Sequence, residues 1–294
     1  MKEKELITIH SEYIEAKLSS FGAELQGLLD LEHGCDYLWH GDAEYWPRRA
    51  PHLFPIVGKL KDNKYRIGRR HYGMNQHGFA RDMEFDAVQT RKDKVTFRLG
   101  YNDETLKVYP FKFILEVTYR IYGPKLFIEY RVFNVGKKEI YFSLGFHPAF
   151  NIPIQNGVLE DYYIEFEERE SIGAYFLSEG LVNFEHKDDK TIFDGRRISL
   201  NEEVFEHDAL VFKDLTSNRV ALKNKIDARE VIVDLNEAPY LGIWRPKGAP
   251  FVCIEPWWGV SDSVHSDYDF LKKEGLIELE KSESFNASLV LHVN

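Results

Sequence analysis

The chain has 294 residues, with 38 Lys and Arg against 48 Asp and Glu, a formal charge of −10, and 44% hydrophobic and 29% charged residues. That balance excludes a disordered chain or a fibrous repeat, and the acidic excess argues against nucleic acid as the main partner, because a phosphate backbone requires a basic face. The only cysteines, Cys35 and Cys253, form no CxxC pair; they point to neither a zinc site nor a disulfide framework, and fit buried thiols in a reducing compartment.

The start, MKEKELITIH, is charged and lacks an apolar core, so it does not read as a signal peptide. No run of about 18 uncharged apolar residues follows, so no membrane span is expected and the expected location is the cytoplasm. Asp42–Trp46 and Asp267–Lys273 are expected to hold a helical turn or two, starting at Asp caps. Residues 47–70 carry eight Lys and Arg against the single acid Asp62. They read either as a solvated loop and hairpin or as a rim that attracts anionic substrates.

Period-2 alternation then dominates. Val95, Phe97, Leu99 and Tyr101 alternate, as do Phe113, Leu115, Val117, Tyr119 and Ile121. After the break Gly123-Pro124-Lys125, Ile128, Tyr130 and Val132 continue the pattern, which predicts a hairpin with one buried face. Tyr162, Ile164 and Phe166 repeat it, and the C-terminus alternates through Phe285, Ala287, Leu289, Leu291 and Val293. Ala209–Phe212, Val231–Leu235 and Phe251–Ile254 are short apolar runs of strand length. Many short strands with turn signals between them predict an all-β chain, a large antiparallel sandwich or barrel. No linker or internal repeat divides it, so residues 1–294 are expected to form a single domain.

Three segments place polar groups beside turn or aromatic residues: Asn75-Gln76-His77-Gly78-Phe79-Ala80-Arg81, Gly145-Phe146-His147-Pro148-Ala149-Phe150-Asn151 and Cys253-Ile254-Glu255-Pro256-Trp257-Trp258-Gly259. His147 ends an apolar run before a proline, which places its imidazole at a strand terminus. Glu255 also precedes a proline and is flanked by Ile254, Trp257 and Trp258, so partial desolvation is expected to raise its pKa toward that of a base. Singly, each has an ordinary structural explanation: a turn histidine, or a strand-end carboxylate paired to a cation. The same holds for His77, Arg81, Asp208 after His207, and Trp244, whose alternatives are core packing and a platform for sugar stacking.

Taken in order, these segments resemble the aldose 1-epimerase, or galactose mutarotase-like, family. The resemblance rests on SSFGAELQGLLD and DYLWHGDAEYWPRRAPHLFPIVGKL in the first part, then QHGFAR, GFHPAFN and CIEPWWGVSD, and spans essentially the whole chain. It implies a galactose mutarotase-like supersandwich with a cleft on one face. It also implies His147 as general acid, Glu255 as general base, and His77, Asp208 and Arg49 as sugar contacts, with Arg48 the adjacent alternative to Arg49. Arg81 resembles a residue of the hexose-6-phosphate epimerase branch.

The expected chemistry is interconversion of α and β anomers. Glu255 takes the proton of the C1 hydroxyl, His147 as imidazolium protonates the ring oxygen, and a nearby carboxylate keeps the imidazole charged. No cofactor and no metal are expected; the partner is a small sugar or sugar phosphate. Three other functions compete: a hexose-6-phosphate 1-epimerase with an Arg clamp, a glycoside-cleaving enzyme, for which a second strong carboxylate is wanting, and a non-catalytic carbohydrate-binding protein.

Overall fold

In a computed structural model, the protein is described over residues 6–171, 173–188, 193–206 and 208–294; residues 1–5, Ile172, 189–192 and His207 lie outside the described residues. The regular structure is almost wholly antiparallel strands. A nine-stranded sheet runs, in spatial order, Arg197–Ser199, Tyr162–Phe166, Arg219–Asn224, Glu230–Asp234, Ser284–Val293, Lys125–Asn134, Phe113–Tyr122, Lys94–Gly100 and Asp86–Arg91. An eight-stranded sheet faces it, ordered Leu181–Asp188, Ala174–Ser178, Leu210–Lys213, Tyr240–Trp244, Phe251–Trp258, Leu144–Phe146 and His52–Leu53, with Ala149–Asn151 also paired to Phe251–Trp258. A three-stranded sheet, Leu6–His10, Ile14–Ser19 and Leu25–Asp30, joins the same core. This is the expected all-β sandwich.

The alternation in the larger sheet is a direct record of its two environments. Leu115, Val117 and Tyr119 are buried, and across the hairpin the register sets them opposite Val132, Tyr130 and Ile128, which are buried too. The apolar sets of both strands therefore lie on one face, where removing each large side chain from water contributes about 1.5–3 kcal/mol. Ile128 and Leu289 from this sheet share one core with Val252 and Ile254 from the facing sheet.

The eight-stranded sheet follows a different rule. Every residue of Phe251–Trp258 is buried, because its second face is covered as well. Val252, Ile254 and Trp258 point into the shared core, whereas Phe251, Cys253 and Trp257 belong to smaller clusters on the opposite face.

The expected strand Phe251–Ile254 extends through Pro256 to Trp258. Pro256 lies opposite Leu241, while Leu144–Phe146 and Ala149–Asn151 pair only with the two ends of the strand, at Trp257–Trp258 and Phe251–Cys253. The missing N–H therefore sits where the second ladder is interrupted.

Asp42–Trp46 forms a turn closed by the Trp46 N–H on the Asp42 carbonyl at 2.9 Å. Within Asp267–Lys273 only a short 3₁₀ turn forms, at Phe270–Lys272. The helix Asp103–Val108 escapes a search for apolar periodicity because it is only six residues long. What specifies it is a capping box: the Asn102 side chain accepts from the Thr105 N–H, and the Thr105 hydroxyl accepts from the Asn102 N–H, both at 2.9 Å. Among the described residues no helix is long and apolar enough to cross a membrane.

Candidate active site

The break between Leu144–Phe146 and Ala149–Asn151 builds the site. His147 and Pro148 leave the ladder opposite residues 254–256, and the Pro148 carbonyl accepts from the Ile254 N–H at 3.3 Å. The imidazole is thereby carried over the sheet face that Glu255 occupies, and His147 Nε2 lies 3.2 Å from Glu255 Oε2. His147 and Glu255 are only 6% and 1% exposed, and both face a cavity of about 500 Å3, within the usual range for a small-molecule site.

The walls are aromatic. Trp46 stacks on the His147 ring at 4.7 Å and 26°, and Trp244 meets it edge-on at 5.7 Å. Trp257, two residues beyond Glu255, lines the same hollow.

His77 approaches from the loop 75–81, its ring centroid 5.4 Å from that of His147. Its Nδ1 accepts from the Gly58 N–H at 3.1 Å, so the neutral ring carries its proton on Nε2, which lies 3.3 Å from the side-chain amide of Gln76, another residue lining the cavity. This loop packs so closely that a Cβ on Gly78, at φ +72°, would come 2.3 Å from the Phe54 carbonyl oxygen. Only glycine suits position 78. Asp208 lines the cavity from the turn before Leu210–Lys213.

Burial controls the electrostatics. It pushes Glu255 well above the usual carboxylate range; neighbouring Asp208 adds to this, and the Trp257 indole opposes it. It pushes His147 down to about 3, helped by the positive charges of Arg81 and Arg48. His77 is lowered chiefly by burial and next by His147. The expected neighbouring carboxylate is present in Glu255, while burial, the largest influence on His147, favours the neutral imidazole. Among the described residues, His147 Nδ1 and Glu255 Oε2 also have no hydrogen-bond partner.

Of the residues expected at the site, His77, Arg81, His147, Asp208, Trp244 and Glu255 line one cavity. Arg49 does not line it. Its guanidinium donates to the Gln26 carbonyl, while its backbone N–H donates to Glu24 at 2.9 Å. Arg48 faces the cavity instead and pairs with Asp82 at 2.7 Å. Arg81 donates to the Gln76 carbonyl at 2.7 Å, and its Nε, 3.9 Å from Asp82 Oδ2, makes no hydrogen bond among the described residues. Other cations of the segment 47–70 are engaged elsewhere: Lys59 on the Glu179 carbonyl, Lys61 on the Val264 carbonyl, and Arg66 with Asp269.

Sequence reasoning did not single out Trp46, Gln76, Leu177 or Ser261, which also line the cavity. Strand parity alone would have placed Cys253 and Trp257 on the face of Glu255.

The aldose 1-epimerase family model matches residues 5–291. The chain belongs to the aldose 1-epimerase family. It is 34% identical over 270 residues to the plasmid-borne protein LacX of Lactococcus lactis subsp. lactis, covering 88% of this chain and 89% of that protein. Among solved structures it resembles the galactose mutarotase related enzyme of Lactobacillus acidophilus, with a TM-score of 0.94, 32% identity, and 99% and 97% of the two chains covered. It also resembles a galactose mutarotase-like protein of Lactobacillus casei ATCC 334, with a TM-score of 0.92, 32% identity and 99% and 100% coverage. Membership of this family supports an isomerase of the epimerase type with a sugar as substrate.

Proposed function

We propose that the protein is an aldose 1-epimerase that interconverts the α and β anomers of a free hexose by opening and closing the ring. The observation that carries this reading is the buried His147–Glu255 pair, 3.2 Å apart at the base of one cavity. Ring opening must remove a proton from the C1 hydroxyl and deliver one to the ring oxygen. A pair holding a single proton does both, each transfer typically contributing about 10²–10⁴-fold.

The environment accounts for that single proton. Burial disfavours both the imidazolium and the carboxylate, so the empty site favours neutral imidazole beside neutral carboxyl. The reactive arrangement, imidazolium beside carboxylate, has the same proton content. The switch is therefore a transfer within the pair and draws nothing from solvent. Glu255 then accepts the C1 hydroxyl proton while His147 protonates the ring oxygen. After rotation about C1–C2, the same steps in reverse close the other anomer. His77 Nε2–H donates to a sugar oxygen, Asp208 accepts from a hydroxyl, and Trp46 and Trp244 cover the apolar faces of the ring. The chemistry needs no covalent intermediate. The test is polarimetry on freshly dissolved α-D-glucose and α-D-galactose: exchange far above the uncatalysed rate is expected, and exchange at the background rate for every hexose tried refutes the reading.

One observation favours a hexose 6-phosphate instead. Arg48 and Arg81 both line the cavity, and a guanidinium pair is a ready phosphate clamp. Against it, Arg48 is already held by Asp82. Competition decides: a free-hexose enzyme binds glucose 6-phosphate no better than glucose, whereas a phosphate clamp prefers it by tenfold or more.

A further inference from the structure

We propose that His147, Cys253 and Glu255 together form a binding site for a thiophilic divalent cation, with Zn²⁺ as the type, and that the cation and the sugar exclude one another. The exclusion rests on the reading above; the cation site does not.

Cys253 takes no part in the epimerisation, yet strand parity puts it two residues from Glu255 on the same sheet face. Pairing with Ala149 on one side and Trp244 on the other holds its backbone. The ligand atoms of all three residues lie within 4.8 Å of one another, and their exposures are 6%, 0% and 1%. One of them, Glu255 Oε2, has no hydrogen-bond partner among the described residues, although His147 Nε2 approaches it to 3.2 Å. Buried polar atoms without partners are uncommon and point to a group that fills the place.

The donor set selects the cation. One imidazole nitrogen, one sulfur and one carboxylate oxygen suit a borderline-soft, tetrahedral ion, and do not suit Mg²⁺ or Ca²⁺, which require six or more oxygens. Metal–ligand bonds of about 2.0–2.3 Å place tetrahedral ligands roughly 3.4–3.7 Å apart, within reach of small side-chain rotations here. Three protein ligands leave a fourth position for water. A cation bound there ties up the carboxylate and imidazole that must exchange protons with the sugar, so bound cation arrests turnover.

The probe is Co²⁺ added to the intact wild-type chain, followed by absorption, with Zn²⁺ as displacing ion. A thiolate-to-cobalt charge-transfer band saturating at one equivalent is expected, lost on adding Zn²⁺. Cys35→Ser should keep the band, Cys253→Ser should lose it, and His147→Asn, which retains the thiol, should weaken Co²⁺ binding at least tenfold. Absence of the band in folded wild-type protein at excess Co²⁺ overturns the proposal, as does a band lost in Cys35→Ser but kept in Cys253→Ser. Saturating hexose should bleach the band; a band unaffected by a hexose that is turned over overturns the exclusion. Cation binding in a chain that exchanges no anomers even when stripped of cation by a chelator supports the site while refuting the epimerase reading.

Discussion

The indole of Trp257 fills the space that a side chain on Gly242 would need: a Cβ there would meet its Cη2 and Cζ2 at 2.4 Å. Gly242 lies opposite Glu255 in the register of adjacent strands, so the glycine lets the ring lie flat beside the carboxylate. Gly242→Ala is expected to cost about 1–3 kcal/mol through overpacking and to lower turnover by displacing Trp257. Gly100→Ala, whose Cβ meets nothing within 4 Å, is the control. Urea midpoints and polarimetry check both; equal behaviour of the two variants refutes the packing argument.

His147→Asn and Glu255→Gln should each reduce anomer exchange by about 10²–10⁴-fold with the fold intact. Because the pair works as a unit, the double variant should be scarcely slower than the worse single one. Full activity in either single variant would remove that residue from the chemistry.

The pH profile follows from the shared proton. Turnover requires exactly one proton on the pair. With His147 pushed down to about 3 and Glu255 pushed up, the rate should hold steady through the acidic and neutral range. It should fall on the alkaline side, as the carboxyl loses its proton. Initial rates across pH measure this; a rate that already falls as pH rises through about 6.5 would show that a charged His147 with an ordinary pKa is required.

His52 gives a stability prediction. It is fully buried between the Tyr130 hydroxyl at 2.8 Å and the Tyr119 hydroxyl at 2.6 Å, and burial lowers it from 6.5 to about 3. Between those values the folded state binds fewer protons than the unfolded one. Stability is therefore full above 6.5 and declines as pH falls, by up to about 1.4 kcal/mol per pH unit. His52→Gln, which cannot titrate, should start less stable at neutral pH and show a shallower decline between pH 6.5 and 4. Parallel denaturation curves for the two proteins would assign the acid sensitivity elsewhere.

The two adjacent arginines should separate cleanly. Arg48→Ala is expected to raise KM by about tenfold or more, the worth of a hydrogen bond to a charged group, with little change in stability. Arg49→Ala should lower stability and leave KM near that of the wild type, since its guanidinium is tied to Gln26. Kinetics with paired thermal melts check this; the reverse pattern would return Arg49 to the site.

Much of this was legible in the chain itself. Strands with one face on the core and one toward water write their environment as alternation, so Phe113–Tyr122 and Lys125–Asn134 could be read directly. Phe251–Trp258 could not be read that way, because both its faces are covered and alternation disappears. Glu255 and His147 stood out through the prolines beside them, and His77 through its glycine-containing loop. Cys253 had no such marker, since no metal-binding spacing surrounds it.

What linear order could not settle was which of two neighbouring side chains turns inward, and how desolvation balances charge. Arg48 and Arg49 are chemically identical, and only the partners Asp82 and Gln26 distinguish them. The same holds for the imidazole and carboxylate, 108 positions apart in the chain. Residue type and flanking prolines mark them as candidates, but a pKa depends on the water excluded around a group. That exclusion exists only once the two sheets and the loop 75–81 have closed over them.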